Sequence, residues 1–251
     1  MKVVSTEIHD RDMLLDFFLG HFGGDRAKSS EAYLNGGRDC ATRFAGLCSE
    51  IFPDHASLNV LEFASGYGRV ARYAEHVMPT ANWTCCDIHP AAVEFTRRLG
   101  LTSFLSSTAP EAWSAPKKYD VVFALSFFSH MPKRTFGTWL ARLFEAVVPG
   151  GVLIFTTHGE ITVRSLSNTA FDDSGFFWMD HTEQCDLDIA DYGVSAVSKE
   201  YVDAALRGIS LTDTIRFQQG FWWKSQDLYV IRKRQAPLVT RSQITERDGP
   251  Q

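Results

Sequence analysis

In the stretch VLEFASGYGRVARY, Val60 to Tyr73, the carboxylate Glu62 precedes two closely spaced glycines, Gly66 and Gly68. A second carboxylate, Asp87, follows Gly66 by about 20 residues, the spacing of a ribose-binding acid after a glycine turn. Glycine at a strand-to-helix crossing permits positive φ and lets a ligand approach the backbone. GYGRVA fits the pattern G-x-G-x-x-G/A, although a tight turn without a ligand uses the same residues. Asp87 also reads as a helix cap ahead of Pro90. Two histidines follow apolar segments further on: His130 in SFFSHMP and His158 in TTHGE. Imidazole titrates near neutrality, so either suits a general base or a substrate contact; the alternative for each is loop packing. His181 is a weaker candidate of the same kind.

The elements that must position these groups alternate regularly. LNVLEF, NWTCCDI, TSFLSS, YDVVFALS and GVLIFTTH read as strands. GRVARYAEHVM, PAAVEFTRRLG and KRTFGTWLARLFEAVV read as helices between them, the second with Pro90 in its first turn and Gly100 at its end. Apolar strands alternating with helices predict a parallel sheet covered on both faces. Upstream, DMLLDFFLGHF predicts a short helix ended at Gly23-Gly24, and GGDRAKSS a loop. Ser30 then caps a longer helix that Gly36-Gly37 weaken or break. After the fifth strand the pattern changes. Residues 159–197 read as a polar insert with an aromatic knot, FFWM. A helix capped by Ser198 follows, and LTDTIRFQQ and QDLYVIRKR read as an antiparallel pair joined by GFWWKS. The division expected is a helical cover over 1–57, an α/β domain over 58–235 containing the insert, and a disordered tail over 236–251.

The chain has 251 residues, 45% of them hydrophobic and 22% charged, as in a globular domain. A net charge of -5 gives no reason to expect a nucleic-acid partner. No apolar run reaches the ~18 residues of a membrane span. The start MKVVSTEIHDRDM has no apolar signal region, and the five cysteines form neither a disulfide framework nor a zinc spacing. The expectation is a cytoplasmic protein with reduced thiols and no metal.

The acid beside the glycines discriminates between ligands. A dinucleotide brings a doubly charged pyrophosphate, which Glu62 would repel in a low-dielectric cleft. S-adenosylmethionine brings a sulfonium and an α-ammonium, which a carboxylate suits. Asp87 can accept hydrogen bonds from two ribose hydroxyls in either case.

VLEFASGYGRVARYA, CCDIHPAAVEF, YDVVFALSFFSHMP and LFEAVVPGGVLIFTTHG resemble the successive motifs of class I S-adenosylmethionine-dependent methyltransferases, and QDLYVIRK resembles their last strand. The resemblance spans Leu58 to Arg232. It implies a Rossmann-like, mostly parallel seven-stranded sheet with an antiparallel last strand and helices on both faces. It places Glu62, Ala64, Gly66 and Gly68 at the methionine end of the cofactor and Asp87 at the ribose. Ile88 would pack on the adenine, Ser107 (with Ser106 and Thr108) would sit near its amino group, and Leu125 and Ser126 would flank the sulfonium. The chain departs from the family in having Ala64 where glycine is usual and serine where the adenine-binding position is often Asp. The activity implied is O- or N-methylation of a small-molecule or sugar-like acceptor by in-line transfer, since no N-P-P-Y-type motif stands after the fourth strand. A non-catalytic cofactor-binding protein and a nicotinamide-dependent oxidoreductase are the rivals.

Several other residues have two readings. The acids Asp180, Glu183, Asp186, Asp188 and Asp191 suit either a cationic acceptor or a solvated loop. FFWM and GFWW suit a lid, an acceptor wall, core or a dimer face. Tyr33 and Arg43 are candidates for covering the cofactor. Arg69 and Arg72 read as surface ion-pairing residues.

Overall fold

The computed structural model describes residues 3–54, 57–166, 169–181, 184 and 186–235. The tail expected over 236–251 lies outside the described residues.

Five strands run parallel: β1 (Asn59–Phe63), β2 (Asn82–Asp87), β3 (Thr102–Leu105), β4 (Tyr119–Ala124) and β5 (Val147–His158). Their order across the sheet is β3-β2-β1-β4-β5. Two strands form inside the polar insert, β6 (Phe176–Met179) and β7 (Val194–Val197), as an antiparallel hairpin joined to β5 where His158 faces Ala196. The chain returns through β8 (Thr212–Trp222) and β9 (Gln226–Lys233). β9 lies antiparallel between β5 and β8. Apart from the β6–β7 hairpin, the sheet therefore has seven strands with an antiparallel last one, as expected.

Alternation along the strands loads both faces of the sheet. Leu61, Phe63, Val122, Leu153 and Phe155 meet Phe136, Leu140, Leu143 and Phe144 of α5 (Lys133–Glu145) and Val202 and Leu206 of α7 (Lys199–Arg207). Val60, Val121, Phe123, Val152 and Ile154 face Phe44 and Leu47 on the opposite side. Phe44 is fully buried, with ring centroids 5.1 Å from Trp83 and 4.4 Å from Phe123. Truncating a side chain so placed costs about 3–5 kcal/mol. Phe176 and Trp222, from the two aromatic knots, are core residues, whereas Trp223 is exposed.

The helices carry the corrections. α1 is Met13–His21 and α2 is Arg26–Ile51. Asp25, not Ser30, caps α2 by accepting from Lys28 N–H at 3.1 Å, so residues 26–30 of the expected loop are helical. Gly36-Gly37 do not break α2. A Cβ on Gly36 would lie 2.1 Å from the Arg69 guanidinium, and one on Gly37 2.2 Å from the Arg69 carbonyl oxygen. The pair exists so that the helix can press onto the segment after the glycine turn. That segment is only a 3-10 turn (Ala71–Tyr73) followed by the short α3 (Ala74–Val77). Arg72, 7% exposed, folds back to donate to the carbonyls of Gly68 and Tyr67 and also to those of Ser5 and Glu7. It is thus a buried tie rather than a surface ion pair. α4 (Pro90–Arg98) starts on Pro90 and ends at Gly100, φ 87°. α6 (Glu160–Ser165) follows β5.

Two substitutions separate helix propensity from close approach. Gly46→Ala, at an exposed position of α2 with open space around it, should stabilise the fold by about 0.5–1 kcal/mol. Gly37→Ala should destabilise it by about 2 kcal/mol although its propensity gain is the same, because backbone lies in the way. Denaturant unfolding of both variants measures the difference; equal effects would contradict the packing reason.

Candidate functional site

The chain leaves β1 through Ala64, Gly66 and Gly68, all in the left-handed region (φ 54°, 52° and 68°). The two glycines differ in purpose. No atom lies within 4 Å of a Cβ placed on Gly66, whereas one on Gly68 would be 3.0 Å from Thr96 Cγ2 of α4. Gly66 thus keeps the concave side of the turn open, and Gly68 lets α4 pack. Ala64 takes the glycine-like conformation at a cost of about 1–2 kcal/mol and turns its methyl outward, so the usual turn geometry survives the extra carbon.

Asp87 ends β2 beside this turn. Its Oδ2 accepts from Gly66 N–H at 2.7 Å, and its Oδ1 accepts from His89 N–H at 3.0 Å and lies 2.8 Å from His89 Nδ1. A carboxylate has about four acceptor sites, so capacity remains for an incoming hydroxyl. Asp87 does not cap α4, as the alternative reading of the sequence has it: the N-cap is His89, whose own N–H donates to Asp87. Ile88 is half-buried next to it. Ser106 N–H donates to the Asp87 carbonyl at 2.8 Å, which brings the β3 loop alongside; Ser107 Oγ accepts from Ala109 N–H at 3.2 Å.

Glu62 lies on the α2 side of the sheet, 4% exposed, and accepts from Trp83 Nε1 at 3.0 Å. Burial pushes its pKa up to about 8, against a partial opposing pull from the Trp83 hydrogen bond. The ligand-free carboxyl is therefore protonated at neutral pH. The folded chain holds this proton more tightly than the unfolded one. The resulting stability is fully present below the ordinary value of 4.5 and is lost as pH rises through about 8. The negative charge that the sequence suggests is thus latent, and a cation arriving nearby would draw it out.

The donor set fits S-adenosylmethionine. It offers two carboxyl groups and an open glycine turn. The neighbouring guanidiniums hydrogen-bond carbonyl oxygens: Arg72 as described, and Arg69 to Tyr33 O at 3.0 Å. Tyr33 is fully buried and its hydroxyl donates to Asp12; Arg43 is exposed and pairs with Asp39 at 2.8 Å.

A polar network closes the carboxyl ends of β4, β5 and the start of β9. Ser126, φ 60°, donates its N–H to Thr156 Oγ1 at 2.9 Å, and Thr156 Oγ1 donates to Gln226 Oε1 at 2.6 Å. Gln226 Nε2 donates to Ser126 Oγ at 2.9 Å. Thr156 and Gln226 were not singled out from the sequence. The available signal was a polar residue in each of two otherwise apolar strands, LIFTTH and QDLYVI. Leu125 is half-buried against the α2-side core.

His130 follows β4. Its Nδ1 lies 2.8 Å from Gly193 O, and its ring stacks on Tyr192 with centroids 4.4 Å apart and planes 7° apart. His158 ends β5, facing Gln226 of β9 and Ala196 of β7. His181 is exposed. Of the five acids singled out above, four have partners within the chain: Asp180 with Trp178, Asp186 with His89, Asp188 with Ala190 N–H, and Asp191 with Arg134. Glu183 lies outside the described residues.

Comparison with known proteins agrees with this geometry. Residues 61–153 match the family model described as a methyltransferase domain. A S-adenosylmethionine-dependent methyltransferase from Clostridium acetobutylicum superposes with a TM-score of 0.56 at 15% identity, over 78% of this chain and 91% of that one. CalS10, an amino pentose methyltransferase from Micromonospora echinaspora, gives 0.57 at 15% identity over 81% and 95%. The 1,6-didemethyltoxoflavin-N1-methyltransferase of Burkholderia thailandensis gives 0.54 at 15% identity over 89% and 88%. No curated protein matches the sequence. Among the described residues no helix is long and apolar enough to cross a membrane. The strand order, the open glycine turn and the match of residues 61–153 to a methyltransferase domain together give the chain the fold of the S-adenosylmethionine-dependent methyltransferases.

Proposed function

We propose that the chain methylates a small-molecule or sugar-like acceptor at oxygen or nitrogen. Asp87 holds the ribose hydroxyls of the cofactor, and Glu62, Ala64, Gly66 and Gly68 hold its methionine end. Ile88 and Ser107 line the adenine, and Leu125 and Ser126 the sulfonium. The observation that carries this reading is the 2.7 Å bond that locks Asp87 over the open Gly66 turn, with the Glu62 carboxyl buried beside it. S-adenosylmethionine, when bound, supplies a methyl group already activated on a positively charged sulfur. The protein's main task is then to align the acceptor atom. The amino pentose and didemethyltoxoflavin named for two structural neighbours are small acceptors, which agrees with this class.

His130 supplies the base. Gly193 O can only accept, so in the neutral ring Nδ1 carries the proton and Nε2 the lone pair. The stack on Tyr192 holds the ring plane. A ring held in this way is suited to take a proton from an acceptor hydroxyl or ammonium. His158, at the end of the neighbouring strand, lines the acceptor side.

Two variants test the assignment. Asp87→Ala should weaken S-adenosylhomocysteine binding about 10- to 100-fold by titration calorimetry, through loss of charge-assisted hydrogen bonds to two hydroxyls. An unchanged Kd would remove the ribose role. His130→Ala should leave that Kd alone and lower kcat by about 100-fold or more on any acceptor recovered from a panel of amino sugars, phenols and heteroaromatic amines. Full activity of His130→Ala would remove the base.

A further inference from the structure

Residues 186–193, between β6 and β7, touch three separate parts of the sheet's carboxyl edge. At one end Tyr192 and Gly193 hold His130, after β4. In the middle Asp191 and the Ala190 carbonyl engage Arg134 in the first turn of α5. At the other end Asp186 Oδ2 lies 3.2 Å from His89 Nε2, and the far side of that ring reaches Asp87 Oδ1, after β2. β1 lies between β2 and β4, so the segment crosses the carboxyl end of β1, where the glycine turn stands.

We propose that His89 is a positioning residue: its ring orients the Asp87 carboxylate and latches residues 186–193, through Asp186, across the cofactor crevice. The inference rests on Asp87 being the ribose acid. The protonated ring faces both carboxylates: Nδ1 hydrogen-bonds Asp87, and Nε2, which makes no hydrogen bond in this geometry, is held to Asp186 by charge. A carboxylate fixed in this way keeps its remaining lone pairs aimed at one place, so less ordering is left for the ligand to supply. The same strap carries the contacts that orient His130. Cofactor capture and base placement therefore share one covering segment. His89 and Asp186 are half-exposed, with side-chain exposures of 27% and 46%, so both can be substituted without opening the core.

The test uses S-adenosylhomocysteine as the probe, with calorimetry for Kd and hydrogen exchange for residues 186–193. His89→Ala should weaken binding about 3- to 10-fold, as should Asp186→Ala, and the double variant should be no weaker than His89→Ala alone. His89→Gln, whose amide can still donate to two carboxylates, should recover part of the loss. Ligand should slow exchange in 186–193 in the parent and not in His89→Ala. Additive losses from His89→Ala and Asp186→Ala, or the same slowing of exchange in His89→Ala as in the parent, would overturn the latch. If His89→Ala binds like the parent while Asp87→Ala does not, the latch fails and the ribose assignment stands. If Asp87→Ala also binds like the parent, the ribose assignment itself fails.

Discussion

A carboxyl group buried beside a glycine turn is an unstable thing to build, and much of the fold is arranged around doing so. Glu62 sits in the sheet face that α2 covers, where the Trp83 indole donates a hydrogen bond to it. Burial forces the group to keep its proton. That burial needs α2 close to the turn, and the approach needs two glycines in the middle of the helix, against Arg69. The N-terminal segment completes the cover, because Arg72 gathers the carbonyls of Ser5 and Glu7 onto the same turn. The result is a site with charge in reserve. A cation can ionise Glu62 and gain its attraction in a low-dielectric setting, whereas a diphosphate finds only a neutral acid and the Asp87 carboxylate.

The two halves of the crevice are held differently. In the proposed reading, the cofactor half is made from backbone conformation and strand ends: positive φ at Ala64, Gly66 and Gly68, and one acid delivered by β2. The acceptor half proposed here is made from side chains: His130, fixed by the segment before β7, and Thr156 and Gln226, whose network reaches Ser126 on the cofactor side. This division suits the proposed activity, in which one cofactor can serve different acceptors. The part that must be constant is written into the strands, and the part that must vary sits on loops over a rigid sheet.

The same division explains what the sequence made legible. Apolar runs near Val60, Val121 and Ile154 identify strands because a parallel sheet buried on both faces needs them, and Pro90 and Gly100 bound α4 through local geometry. Gly66, Gly68 and Asp87 stand out because type and spacing alone set their geometry. Gly36-Gly37 misled because propensity is local, whereas the reason for those glycines is a contact with Arg69 far along the chain. Arg72 misled likewise: nothing in its neighbours shows that carbonyls from residues 5 and 7 surround it. The β6–β7 hairpin was hidden in a polar stretch, since its pairing depends on the end of β5 and the loop after β4. The proton on Glu62 is equally invisible in sequence, because it depends on a completed core.

That proton offers the most direct measurement. Titration of S-adenosylmethionine into the protein at pH 7, in buffers of different ionisation enthalpy, counts the protons exchanged on binding. With a ligand-free pKa of about 8, Glu62 is mostly protonated at this pH and should release close to one proton as the cation binds, a release that Glu62→Gln abolishes. Binding of S-adenosylmethionine without proton release, or with the same release from Glu62→Gln, would contradict the role given to the buried acid.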